Sequence, residues 1–193
     1  MYEFYVGTTP KDPPGNIVKV CLDSDGQLVD KSYYEAVSPA YLCRKGSCIY
    51  AVIENADFGG VQVFDVNKNG SLTAKARLDT EDVYSTYISA EKRGNRIFVA
   101  NYGTPSCAVY RYEAEKLVQE SVLREKKTEK SHIHCAALTP EEAYVKSVIL
   151  GFSAVAGAVS CPGSEASSCG AALPMPRSIF SAAARCISPV MWV

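Results

Sequence analysis

The chain has 193 residues, 47% of them apolar, with 20 basic and 21 acidic side chains, a formal net charge of -1 and a pI near 6.1. That apolar content suffices for a folded core and excludes a largely disordered chain. Near-neutrality excludes the concentrated positive charge that nucleic acid or an anionic membrane attracts, so neither is expected as a partner.

Taken in chain order, the opening Met1-Tyr2-Glu3-Phe4-Tyr5 has no basic segment and no apolar run of signal length. No export signal is read there, and a cytoplasmic protein is expected. The segment Phe4-Tyr5-Val6-Gly7-Thr8 reads as a strand with a polar end, and the pattern returns at Ile49-Tyr50-Ala51-Val52-Ile53-Glu54-Asn55 and at Ile97-Phe98-Val99-Ala100-Asn101-Tyr102-Gly103. A second strand follows each of these. Ile17-Val18-Lys19-Val20-Cys21-Leu22 with Asp25-Gly26 matches Val61-Gln62-Val63-Phe64-Asp65-Val66 with Asn69-Gly70, and Ala108-Val109-Tyr110-Arg111-Tyr112 with Glu115-Lys116-Leu117 is the third copy. Alternation of period two in Val61–Val66 predicts strands that bury one face, and Asp-Gly and Asn-Gly are the dipeptides that accept the positive φ of tight hairpins.

A unit of about 45 residues repeated nearly three times therefore predicts a meander of about four short antiparallel strands per unit. Such units hide their apolar faces by stacking on their neighbours, and four-stranded units of this length favour a ring of blades. The fold expected is all-β: a partial β-propeller of about three four-stranded antiparallel blades over residues 1 to 145, with the start of a fourth. The Trp-Asp and Gly-His signatures of the WD-repeat propellers are missing, and the single tryptophan is Trp192.

Composition changes at Lys146. All 12 tyrosines and both histidines precede it, and Glu165 is the only acidic residue after it. Residues 146–193 contain 9 Ala, 9 Ser, 4 Gly and 4 Pro, so they lack the bulky side chains that offset ordering costs of roughly 1 to 2 kcal/mol per residue. A poorly ordered tail, frameshifted or degenerate, is expected, and its prolines and arginines leave no apolar run of about 20 residues to cross a membrane. Eight cysteines without a C-x-x-C pair read as reduced, mostly buried thiols.

Five segments together resemble the lactonase family of seven-bladed β-propellers, which includes bacterial 6-phosphogluconolactonases and fungal carboxymuconate lactonising enzymes. They are Tyr5-Val6-Gly7-Thr8, Ser38-Pro39-Ala40-Tyr41-Leu42, Ile49 to Asn55, Val99-Ala100-Asn101-Tyr102-Gly103, and His132-Ile133-His134 followed by Thr139-Pro140-Glu141. Where the family usually carries a glycine-rich loop and an Arg-Gln pair ahead of the histidines, this chain has Arg124 to Ser131. The resemblance implies a cofactor-free lactone hydrolase acting on a sugar-phosphate lactone. A non-catalytic binding propeller and a carboxymuconate-type cycloisomerase are the alternatives.

Lactone opening needs water to attack an ester carbonyl, for which imidazole is a suited base. The resemblance then implies catalytic roles for His134 as base, His132 as its support, and Glu54 as the group that orients water or a histidine. Asn101 and Tyr102 are expected on the substrate side, with Asn101 donating to the developing oxyanion, and Lys130 is expected to meet an anionic substrate group. These residues are expected at the polar ends of the innermost strands of successive blades, converging at one mouth of the ring. The residues alone leave other roles open: the histidines could exchange places or satisfy backbone groups, Asn101 could cap a strand end, and the Lys126 to Lys130 segment could be a solvated loop. No third ligand accompanies His-x-His, so no metal is expected. Self-association through open blade edges is expected.

Overall fold

The computed structural model describes residues 1–9, 15–124, 132–139, 142, 144–150 and 159–160. These form fourteen strands in four antiparallel sheets. The first sheet holds β1 (Tyr2–Gly7), β2 (Gly15–Leu22) and β3 (Leu28–Ala36). The second holds β4 (Leu42–Lys45), β5 (Cys48–Glu54), β6 (Gly59–Val66) and β7 (Leu72–Thr80). The third holds β8 (Ser85–Ala90), β9 (Arg96–Asn101), β10 (Ser106–Glu113) and β11 (Lys116–Arg124), and the fourth holds β12 (His132–Leu138), β13 (Tyr144–Leu150) and β14 (Val159–Ser160). Every sheet is an up-and-down meander in sequence order. β13 carries the fourth sheet four residues beyond the composition change at Lys146. The expected tail beyond Ser160 lies outside the described residues.

The turn chemistry is realised as its residues dictate. Gly26 and Gly70 have φ of 79° and 74°, and each closes a hairpin whose first residue, Asp23 or Asn67, accepts the glycine N–H. The third hairpin, β10–β11, turns at Ala114 and Glu115 with φ of 49° and 60°, so the left-handed geometry persists there without a glycine.

Three apolar clusters hold the sheets face to face. Ile17 and Ala36 of the first sheet meet Ile49, Ala51, Phe64 and Leu72 of the second. Tyr50, Val52, Val61 and Val63 meet Ile88, Ile97, Val99, Ala108 and Tyr110 of the third, and Phe98, Ala100, Cys107 and Val109 meet Ile133, Ala136 and Val145 of the fourth. The middle strands thus bury both faces, whereas alternation alone predicts one. Ile49 and Ala51 serve one interface, Tyr50 and Val52 the next, and the run Ile49 to Ile53 is apolar throughout. The last strands, β3, β7 and β11, are mostly exposed or half-buried. Among the described residues, Cys21, Cys43, Cys48, Cys107 and Cys135 form no disulfide.

Polar ties cross the first two interfaces. Buried Lys19 pairs with Glu3 at 2.7 Å and donates to the Asn69 carbonyl at 2.9 Å, while the Tyr5 hydroxyl donates to the Gly70 carbonyl at 2.8 Å. Between the second and third sheets, the Gly60 N–H donates to Ser85 Oγ (3.1 Å), Ser85 Oγ–H donates to Asn101 Oδ1 (2.7 Å), and Asn101 Nδ2 donates to Ser106 Oγ (2.9 Å). The sheets approach so closely here that a Cβ on Gly59 would lie 2.3 Å from the Asp82 carbonyl oxygen.

Candidate active site

Glu54, Tyr84, Thr86, Tyr102 and His134 line an open cleft of about 490 Å3. Three recurring places in the repeat supply all five. Glu54 ends β5 and Tyr102 stands at the matching position, 48 residues later, just past β9. Their amides make the same bond: Glu54 N–H to the Val37 carbonyl at 3.1 Å, and Tyr102 N–H to the Tyr84 carbonyl at 2.8 Å.

Thr86 and His134 are also 48 residues apart and occupy one kind of backbone irregularity. In β8 the register jumps from Ser85 opposite Asn101 to Tyr87 opposite Ala100, leaving Thr86 as an extra residue. In β12 it jumps from Ile133 opposite Ile149 to Cys135 opposite Val148, leaving His134 extra. A bulged residue is released from strict alternation and re-aimed, so a hydroxyl and an imidazole reach the cleft from strands that otherwise pack a core. Tyr84, at φ 55°, likewise stands 48 residues before His132.

Tyr102 joins the two histidines. Its carbonyl accepts a hydrogen bond from His132 Nδ1 at 2.9 Å, and its ring stacks on His132 with centroids 3.9 Å apart and planes 3° from parallel. His134 meets the same tyrosine edge-on, at 6.1 Å and 84°. His132 is half-buried and His134 exposed. The half-buried Glu54 carboxyl is pushed up to about 6 from 4.5 by desolvation, which disfavours its charged form.

The structure therefore brings Glu54, Tyr102 and His134 to one cleft, with His132 stacked behind Tyr102. Two expectations need correction. Asn101 does not reach the cleft: it is fully buried, with both ends of its amide held by Ser85 and Ser106. The counterpart of Glu54 is Tyr102, and Asn101 matches Ile53; in a strand, a shift of one residue sends the side chain to the opposite face. Glu54 and Asn101 also end the second strands of their sheets, not the first, whereas the histidines belong to a first strand. Lys130 lies outside the described residues.

Tyr84 and Thr86 were not anticipated as site residues. The signal that finds them is the 48-residue offset from His132 and His134, visible once the repeat is aligned on β8 and β12. Among the described residues, no group of three or more His, Cys, Asp or Glu side chains is placed to hold a metal ion.

Meandering sheets of three and four strands stacked face to face, with strand ends and bulges delivering polar groups to one cleft, define part of a β-propeller. The chain belongs to the lactonase family of seven-bladed β-propellers, whose sequence model matches residues 3–156. It is 29% identical over 163 residues to the 6-phosphogluconolactonase of Bacillus subtilis, a match covering 78% of this chain and 47% of that protein. The periplasmic gluconolactonase of Pseudomonas aeruginosa is similar in fold, with a TM-score of 0.70 and 22% identity over 80% of this chain and 48% of that one. A protein from Lactobacillus plantarum has a TM-score of 0.68 and 21% identity over 77% of this chain and 46% of that one. The chain thus spans about half the length of the relatives it matches.

Proposed function

We propose that this chain acts on a sugar lactone, hydrolysing the ring ester in the manner of a 6-phosphogluconolactonase. The observation that carries the reading is the convergence of His134 and Glu54 on one open cleft in a member of the lactonase family. His134 is the base that takes a proton from water as its oxygen adds to the lactone carbonyl, and Glu54 orients that water as a carboxylate. Hydroxyls of Thr86 and Tyr84 donate to the lactone oxygens as charge develops. The imidazolium then returns its proton to the departing ring oxygen, leaving the open hydroxy acid. Lys130 meets the phosphate of a phosphorylated substrate.

The test is acid release from freshly prepared 6-phosphogluconolactone and gluconolactone, followed at constant pH against the spontaneous rate. The full chain is expected to exceed that rate, and His134→Ala to lower kcat by about 100-fold or more. Hydrolysis at the spontaneous rate by the unaltered chain, or full activity in His134→Ala, overturns the proposal.

A further inference from the structure

Tyr102 has a role that its place in the cleft wall does not exhaust. Its backbone is pinned from both sides: Asn101 before it is locked between Ser85 and Ser106, and Gly103 after it donates to the Val83 carbonyl at 3.1 Å. The chain passes close to its neighbour at Gly103, where a Cβ would lie 2.6 Å from Val83 Cγ2 and 2.7 Å from Tyr84 Cδ2. Together with the Tyr102 N–H bond to Tyr84, these ties fix the direction of the Tyr102 carbonyl. That carbonyl faces His132 Nδ1 at 2.9 Å. A carbonyl oxygen only accepts, so Nδ1 carries the proton, and in the neutral ring Nε2 is left as the one nitrogen with a lone pair. The stacked tyrosine ring, at 3.9 Å and 3°, fixes the imidazole plane that the carbonyl bond alone would leave free to rotate.

We propose that Tyr102 is a positioning residue: its carbonyl and ring together hold His132 as the Nδ1–H tautomer in one plane, so that Nε2 is the proton-accepting atom which supports His134. Its kinetic consequence rests on the lactonase reading, but its structural claim does not.

The experiment has two arms on the full chain. Two-bond 1H–15N correlation of the histidine rings at pH 8, assigned with His132→Gln and His134→Gln, is expected to show His132 as Nδ1–H in the unaltered chain and in Tyr102→Phe. In Tyr102→Ala a mixture of tautomers is expected. In lactone hydrolysis, Tyr102→Ala is expected to lower kcat about tenfold with KM changed less than twofold, and Tyr102→Phe to restore it. An Nε2–H His132 in the unaltered chain, or an unchanged spectrum in Tyr102→Ala, overturns the proposal. So does a kcat loss in Tyr102→Phe equal to that of Tyr102→Ala, which would make the phenol hydroxyl a substrate contact instead. If the unaltered chain opens no lactone, the lactonase reading fails while the spectra still decide whether Tyr102 positions His132.

Discussion

Glu54 is an acid placed where its charged form is disfavoured. Burial raises its carboxyl to about 6 from 4.5, which means that the folded chain holds this proton more tightly than the unfolded chain does. The resulting destabilisation is absent below pH 4.5, grows as pH rises, and is complete above about pH 6. Glu54→Gln removes the charge and is expected to stabilise the fold by about 1 kcal/mol at pH 8, a value discounted for partial exposure, with no gain at pH 4.5. Thermal unfolding at the two pH values checks this. The same substitution is expected to lower the rate of lactone hydrolysis at neutral pH, because the attacking water loses the carboxylate that orients it. An unfavourable carboxylate retained in a cleft is what a site that needs its charge would show.

At the scale of elements, the cleft is made by strand ends and bulges, while the strands themselves make the core. β8 and β12 repeat one device, an extra residue near the start of the strand, and they spend it on Thr86 in one sheet and His134 in the next. The bracket from Gly60 through Ser85 and Asn101 to Ser106 ties β6 to β8, β9 and β10 immediately behind that device. Asn101→Ala leaves two buried hydroxyls short of a partner and opens a cavity, so a loss of about 2 to 3 kcal/mol in denaturant unfolding is expected. The strands were legible from alternation and from Asp-Gly and Asn-Gly turns, because those signals are local. The bulges were not, because an extra residue shows only against its partner strand. Reading Asn101 as the partner of Glu54 failed for a different reason: β5 and β9 align without a gap 48 residues apart, so Glu54 matches Tyr102, and one residue of misalignment exchanged a buried bracket for the wall of the cleft.

Over the whole molecule, each sheet interface is an apolar layer shared by two repeats, and the first sheet has a second apolar face. Ile17 and its neighbours point toward the second sheet, so Val6, Val18, Val20 and Tyr33 lie on the opposite face by strand alternation. Tyr33 is 57% exposed, and Tyr2 in the same sheet is 58% exposed. The face equivalent to this one in the second sheet, through Ile49, Ala51 and Phe64, is buried against its neighbour. A second copy of the chain is therefore expected to associate through the first sheet. Sedimentation velocity from about 1 to 100 µM is expected to show concentration-dependent association that Val20→Lys with Tyr33→Lys reduces. A monomer across that range for the unaltered chain contradicts it.

The repeat, the strands, the hairpin turns and the choice of Glu54, Tyr102, His132 and His134 are written in local periodicity, turn dipeptides or a short motif with a family resemblance. Which of these side chains meet was set by the folded packing of the sheets. It placed Tyr84 and Thr86 beside Glu54 and His134, withdrew Asn101 into the core, and stacked His132 on Tyr102. The physical reason is that convergence depends on register between strands and on the stacking of one sheet upon the next, and neither is encoded within a single strand.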